Sequence, residues 1–332
     1  MGTHRYAWLA LATALAAMPG GAAEDVTKGT AAYKSTRALN GHVFQPSRLV
    51  PGPFTTTSFG TSTIFGSGST NAPRFNLQGE VIGERDYTTA AYGQGFDFHV
   101  RLTPDIGLRF EVSGVFFSGV DGESFVALGT NGQVGLSGGL VAGRDLAAGT
   151  RLAFVIDVGQ QPELSLVISR AIINAIDTGE FRTAGVFNTA ENVRVAPGVS
   201  FAWAPSPPFG IELETRYAYT RTVGGEADVE RNANGAIVAG LAEFDFEPVM
   251  RWPIAVQAGY RGQIPWGATN DRSIHEAGVG IFYSRMVPLA LGLEIDWRHG
   301  NLRTARTVGE DETQPQLKSD SALATLRFRY YW

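Results

Sequence analysis

Cysteine is absent from the 332 residues, so neither a disulfide framework nor a thiolate metal site can form, and stability must come from hydrogen bonds and packing. Lysine is nearly absent: Lys28, Lys34 and Lys318 are the only three, and the other cations are arginines, whose planar guanidiniums suit fixed carboxylate pairs. Histidine is sparse, and no two of His4, His42, His99, His275 and His299 are three or four residues apart, which argues against a metal centre. No run after the N-terminal segment stays apolar for about 18 residues, so a mature chain that spans a membrane must do so with strands closed into a barrel. A formal net charge of −5 offers no basic face for phosphates and excludes nucleic acid as a partner.

What is present reads as folded and rich in strands and loops: 44% hydrophobic residues, 18% charged and 41 glycines. At the start, His4 and Arg5 precede an almost wholly apolar run from Tyr6 to Met18, followed by Pro19, Gly20, Gly21, Ala22 and Ala23. This predicts a secretory signal peptide over residues 1–23, cleaved after Ala23, because the run falls short of the roughly 20 residues a membrane anchor needs.

From Gly93 onward the chain resolves into segments with period-two alternation, each sorting into an apolar and a polar row. In the last segment Ala322, Ala324, Leu326, Phe328, Tyr330 and Trp332 share one face, and Ser321, Thr325, Arg327 and Arg329 the other. Leu291, Leu293, Ile295 and Trp297 oppose Glu294, Asp296 and Arg298 in the same way. Charges in mid-strand must face something polar, so the polar row is assigned to a lumen. Its members are Asp97, His99, Arg101, Arg109, Glu111, Glu212, Glu214, Arg216, Glu243, Asp245, Arg261, Glu276, Glu294, Asp296, Arg298, Arg327 and Arg329, together with Arg151, Asp157 and Arg194. The two signs nearly balance, so strong ion selectivity is not implied.

Short connections such as Pro104-Asp105 and Val287-Pro288 alternate with long ones such as Gly159 to Glu191 and Asn301 to Ser319. That asymmetry belongs to barrels with short turns at one membrane face and long loops at the other. Eleven strands run from Gly93 to Trp332, and for both ends of the barrel to lie on the short-turn side one more is required, placed near Phe75 to Gly83. The fold class expected is all-β, a closed antiparallel transmembrane barrel of about 12 strands, with 14 left open. It divides into residues 1–23, an N-terminal arm or plug over 24–74, and the barrel over 75–332.

A terminal strand with alternating aromatics, here Phe328, Tyr330 and Trp332, resembles the assembly signal of bacterial outer-membrane β-barrel proteins. The resemblance implies the Gram-negative outer membrane as location, and its lipids and the barrel-assembly machinery as partners. Residues 24–74, with Phe44, Phe54, Phe59 and Phe65 spaced along a Thr-, Ser-, Gly- and Pro-rich stretch, resemble in layout the plug of long-chain fatty-acid channels, and a flexible periplasmic arm is the other reading.

Other motifs weigh little. Gly135-Leu136-Ser137-Gly138-Gly139 has the letters of a nucleophile elbow but lies inside an expected strand with no helix after it. Asp177-Thr178-Gly179 lacks the second copy that a shared-proton carboxylate pair requires. Pro162 to Asp177 has apolar residues at helical spacing and is read as a short amphipathic helix within the longest loop. His299-Gly300-Asn301 raises the outer-membrane lipid hydrolases, some of which are twelve-stranded barrels with a Ser, His and Asn site, but no serine is near in sequence. The sequence therefore points to a non-enzymatic barrel with no cofactor and no metal. Its first reading is a channel or passive transporter for small solutes, porin-like in its lumen. A non-conducting structural or surface-binding barrel is the second, and a lipid hydrolase the minor third.

Overall fold

The computed structural model describes residues 37–75, 81–120, 127–147, 149–166, 187–223, 231–266, 273–303 and 316–332. The signal peptide expected over 1–23 and the tips of the long loops lie outside these residues.

Two short strands, β1 (Ala38–Leu39) and β2 (His42–Val43), form a hairpin of their own, and twelve further strands close a barrel. These are β3 (Ser58–Phe75), β4 (Val81–Arg101), β5 (Ile106–Val120), β6 (Ala127–Ala147), β7 (Thr150–Leu166) and β8 (Phe187–Ser206). They continue with β9 (Phe209–Val223), β10 (Arg231–Asp245), β11 (Ile254–Trp266), β12 (Ile274–Tyr283), β13 (Leu289–Arg303) and β14 (Gln316–Tyr331). Each pairs antiparallel with its sequence neighbour, and β14 closes on β3 with Arg327 opposite Ser62 and Arg329 opposite Gly60. Closure leaves no strand edge, which is what lets a sheet satisfy its backbone groups in lipid. A single turn of helix, α1 (Glu247–Met250), fills the connection between β10 and β11.

Two expectations need correction. The first strand is β3 at Ser58–Phe75, so the barrel begins at residue 58 and not 75, and Phe75 to Gly83 spans the connection from β3 to β4. Ser58–Phe75 hides its alternation because its inward row is mostly small. Phe59, Thr61, Thr63 and Phe65 form the outward row, while Gly60, Ser62, Gly66 and Gly68 face in. The small residues make room for neighbours, and a Cβ at Gly60 would run into the Asp97 carboxylate. The helix expected from Pro162 does not start there either, since Pro162 to Leu166 continue β7 and pair with Glu191 to Phe187. The remainder of that segment, and the Asp177 triplet, lie outside the described residues.

The distribution of side chains is inverted relative to a water-soluble sandwich. Phe59, Phe96, Phe110, Leu213, Val279, Leu293, Leu326 and Phe328 are exposed, whereas Glu212, Glu243, Glu294, Asp296, Arg216 and Arg327 are buried. Exposed aromatics gather near the two ends, with Trp203, Trp252, Tyr330 and Trp332 toward the short turns and Tyr92, Tyr217, Tyr260, Trp266 and Trp297 toward the long loops. Amphipathic rings at both edges of an apolar band mark the two water interfaces of a membrane.

Candidate functional site: a plugged lumen

Residues 37–57 occupy the short-turn half of the lumen. The segment enters beside the Val287 turn, turns back at Asn40-Gly41, reaches inward as far as Arg48 to Gly52, and returns to the same rim at Thr57, where Trp332 N donates to its carbonyl at 3.1 Å. The turn between β1 and β2 has two residues, both with positive φ, 48° at Asn40 and 84° at Gly41. That is the backbone a two-residue hairpin demands and the reason Asn-Gly suits it. Asn40 Nδ2 then donates to the carbonyls of Ala204 at 3.3 Å and Pro205 at 3.0 Å, tying the hairpin to the rim.

Polar bonds fix the plug to the wall at successive depths. At the mouth, Arg37 donates to Phe44 O at 2.6 Å and Val287 O at 2.7 Å, with its guanidinium 4.2 Å above the Tyr331 ring. Gln45 N donates to both oxygens of Glu243, at 3.2 and 3.0 Å. Deeper in, Arg48 N donates to Glu294 at 3.0 Å, while its guanidinium pairs with Asp296 at 2.9 Å and Glu276 at 3.4 Å. On the returning limb Thr55 Oγ1 donates to Pro104 O at 2.7 Å, and the wall supplies the other donors. Arg109 reaches Gly52 O, Arg151 Nε reaches Pro53 O at 3.0 Å, and Arg101 N reaches Thr57 Oγ1 at 3.1 Å. Two apolar contacts add to these: Leu39 and Phe44 cluster with Ala202 and Ala204, and Leu49 and Val50 cluster with Ala239 and Leu241.

The remaining wall charges pair mainly with one another. Arg327 Nε donates to Glu294 Oε2 at 3.0 Å, Arg329 lies 2.7 Å from Asp97, and Arg216 pairs with Glu214 at 2.8 Å and also with Asp157. Ser284 donates to Asp245 at 2.8 Å and Gln257 to Glu294 at 3.1 Å. Of the residues assigned to the lumen from sequence, His99, Arg109, Glu212, Glu214, Arg216, Glu243, Asp245, Glu276, Glu294, Asp296, Arg327 and Arg329 are buried. Asp97, Arg101, Arg261 and Arg298 are partly covered, and Glu111 stays open to water. Pairing of this kind lets Glu214, Arg216, Glu276, Glu294, Asp296, Arg327 and Arg329 sit inside without isolated charge burial, while Arg109 rests on the Gly52 and Phe54 carbonyls.

His42 is the plug's enclosed titratable group. Burial opposes its charge, but the hydrogen bond and charge of Glu243, the Pro207 carbonyl and Asp245 outweigh that effect and raise its pKa above the ordinary imidazole value.

The plug residues Arg37, His42, Gln45 and Arg48 were not singled out from sequence. Two signals pointed at them: the Leu39-Asn40-Gly41-His42 hairpin pattern, and the luminal apolar residues Ala239 and Leu241 beside Glu243 and Asp245, which need cover. His299 lies on the outer face of β13 with its Nδ1 2.6 Å from Asp320 Oδ1. Ser69 stands opposite Asp320 rather than opposite His299, so the carboxylate and not the imidazole is the hydroxyl's neighbour in register. A base placed between nucleophile and orienting acid needs the other order.

Closed strand pairing, an apolar outer band with aromatic edges and a charged interior settle the class. The chain folds as a closed transmembrane β-barrel. No protein-family model matches the sequence, and no curated protein matches it. Among solved structures it is similar to a Pseudomonas aeruginosa FadL homologue, at 11% identity and TM-score 0.43, covering 90% of this chain and 97% of that one. It is also similar to the transport unit of the autotransporter AIDA-I from Escherichia coli, at 11% identity and TM-score 0.47, covering 92% and 98%. A third is the P. putida toluene transporter TodX, at 10% identity and TM-score 0.40, covering 90% and 97%. At this overlap no activity passes from them to this barrel.

Proposed function

We propose that this barrel is a passive channel for small solutes, held shut at its short-turn mouth by residues 37–57. The observation that carries the reading is the path of residues 37–57: both ends lie at one rim, Arg37 beside the Val287 carbonyl and Thr57 beside Trp332, and the segment is joined to the wall by side-chain and backbone bonds, so it can withdraw as a loop while the barrel stays intact. Once it withdraws, the wall it uncovers is polar and charged of both signs, which suits hydrated solutes without strong ion preference. The two apolar clusters of the plug favour the second reading, a permanently closed structural barrel.

Planar-bilayer recording separates the two. A chain in which residues 38–56 are replaced by a Gly/Ser linker of equal length should conduct steadily, and the parent chain only in brief openings. Silence of the linker chain, in protein that still shows heat-modifiable gel mobility, would overturn the channel reading. We assign the barrel no catalytic step.

A further inference from the structure

His42 sits outside the strands of the wall and is completely buried, at 0% exposure. Each ring nitrogen faces an acceptor: Nδ1 is 2.9 Å from Pro207 O, and Nε2 is 3.2 Å from Glu243 Oε1. The carbonyl and the carboxylate are both acceptors, and Nε2 meets Glu243 as a close charge contact rather than an aligned hydrogen bond, so the charged imidazolium suits both neighbours better than either neutral tautomer. Loss of one proton turns a lone pair toward one of the two oxygens in a pocket with no room to rotate away. The Phe44 ring packs edge-on at 4.6 Å, and a Cβ at Gly210 would come within 2.5 Å of the imidazole.

The carboxylate that faces Nε2 also receives Gln45 N through both oxygens, so Glu243 holds this limb of the plug together with the Val287, Ala204 and Pro205 carbonyls. Among the described residues the charged groups around the pair are few. Glu243 and Asp245 act on His42 from β10, Arg37 of the plug and Glu212 of β9 act on Glu243, and the β8–β9 turn contributes the Pro207 carbonyl.

We propose that His42 and Glu243 form a protonation-dependent latch, which holds the plug in the lumen while the imidazole is charged and loosens it as the pH rises. The sign follows from linkage. A histidine whose pKa is raised in the folded state stabilises that state fully below its unfolded pKa, and the contribution is lost as pH climbs through the raised value. The latch concerns movement of the plug and stands whether or not the lumen then conducts.

Because the chain contains no cysteine, a single Ser47→Cys substitution in the buried part of the plug gives a clean reporter. The folded full-length protein is labelled with a maleimide-polyethylene glycol at about pH 6 and about pH 9, and each rate is divided by that of the denatured chain at the same pH to remove thiol ionisation. The normalised rate should rise roughly tenfold or more between the two. His42→Gln in the same background, which cannot donate to both acceptors, should label quickly at both pH values. Glu243→Gln should likewise lose the pH step, with heat-modifiable mobility confirming that both variants fold. Equal parent rates at the two pH values, or the same rise persisting in His42→Gln, would overturn the latch. Labelling that rises with pH while bilayer current stays absent supports the latch and refutes the channel.

Discussion

Arg327 tests how the interior is held together. Its Nε is 3.0 Å from Glu294 Oε2, with the two side chains 9% and 3% exposed. Glu294 Oε1 has two further donors, Arg48 N at 3.0 Å and Gln257 Nε2 at 3.1 Å, but Oε2 has only Arg327 among the described residues. Arg327→Met keeps most of the volume and leaves that oxygen bare. Breaking a buried ion pair by removing one partner costs about 3–5 kcal/mol. Because Glu294 retains two donors, the loss expected here is nearer that of one charge-assisted bond, about 2–3 kcal/mol. Urea titration of folding into lipid vesicles measures it, and a double-mutant cycle with Glu294→Gln isolates the pair, for which a coupling of about 1–2 kcal/mol is expected. A coupling below about 0.5 kcal/mol would refute the reasoning, since that is the size expected of exposed charges in a wide aqueous pore. The strand register places Arg327 opposite Gly292, two residues from Glu294, so this contact is a diagonal one.

Two further outcomes bear on assembly and orientation. Deleting Trp332, whose backbone closes onto Thr57 and whose ring lies 6.1 Å from both Phe98 and Tyr330, should slow insertion and diminish heat-modifiable gel mobility; unchanged assembly would remove the role of the terminal aromatic as a signal. A tag between Glu310 and Gln314 should be accessible on intact cells and one at Pro288 should not, and reversed labelling would invert the barrel in the membrane.

Alternation of apolar and polar residues located ten strands with their inward and outward rows, the glycine-rich segment of β6 was placed between its neighbours, and parity demanded a twelfth. Side-chain direction in a strand reverses at every residue, so a lipid face opposite a polar face leaves a local trace of period two. That trace fades where the inward residues are small, as along Gly60, Ser62, Gly66 and Gly68, and this is why β3 was sought one connection too late. It also fails between Pro162 and Leu166, where helical spacing of apolar residues competed with strand pairing and the long ladder to β8 prevailed. The charged interior was legible; its closure was not. Arg48 meets Asp296 across 248 residues of chain and Gln45 meets Glu243 across 198, and neither segment carries a periodic pattern that names its partner. By itself the sequence determined that most strands would carry a polar, charge-bearing row opposite an apolar one. Only the tertiary structure decided that residues 37–57 would fill one mouth of the lumen, because that choice rests on hydrogen bonds and ion pairs between distant residues, whose energies appear only when the barrel has brought them together.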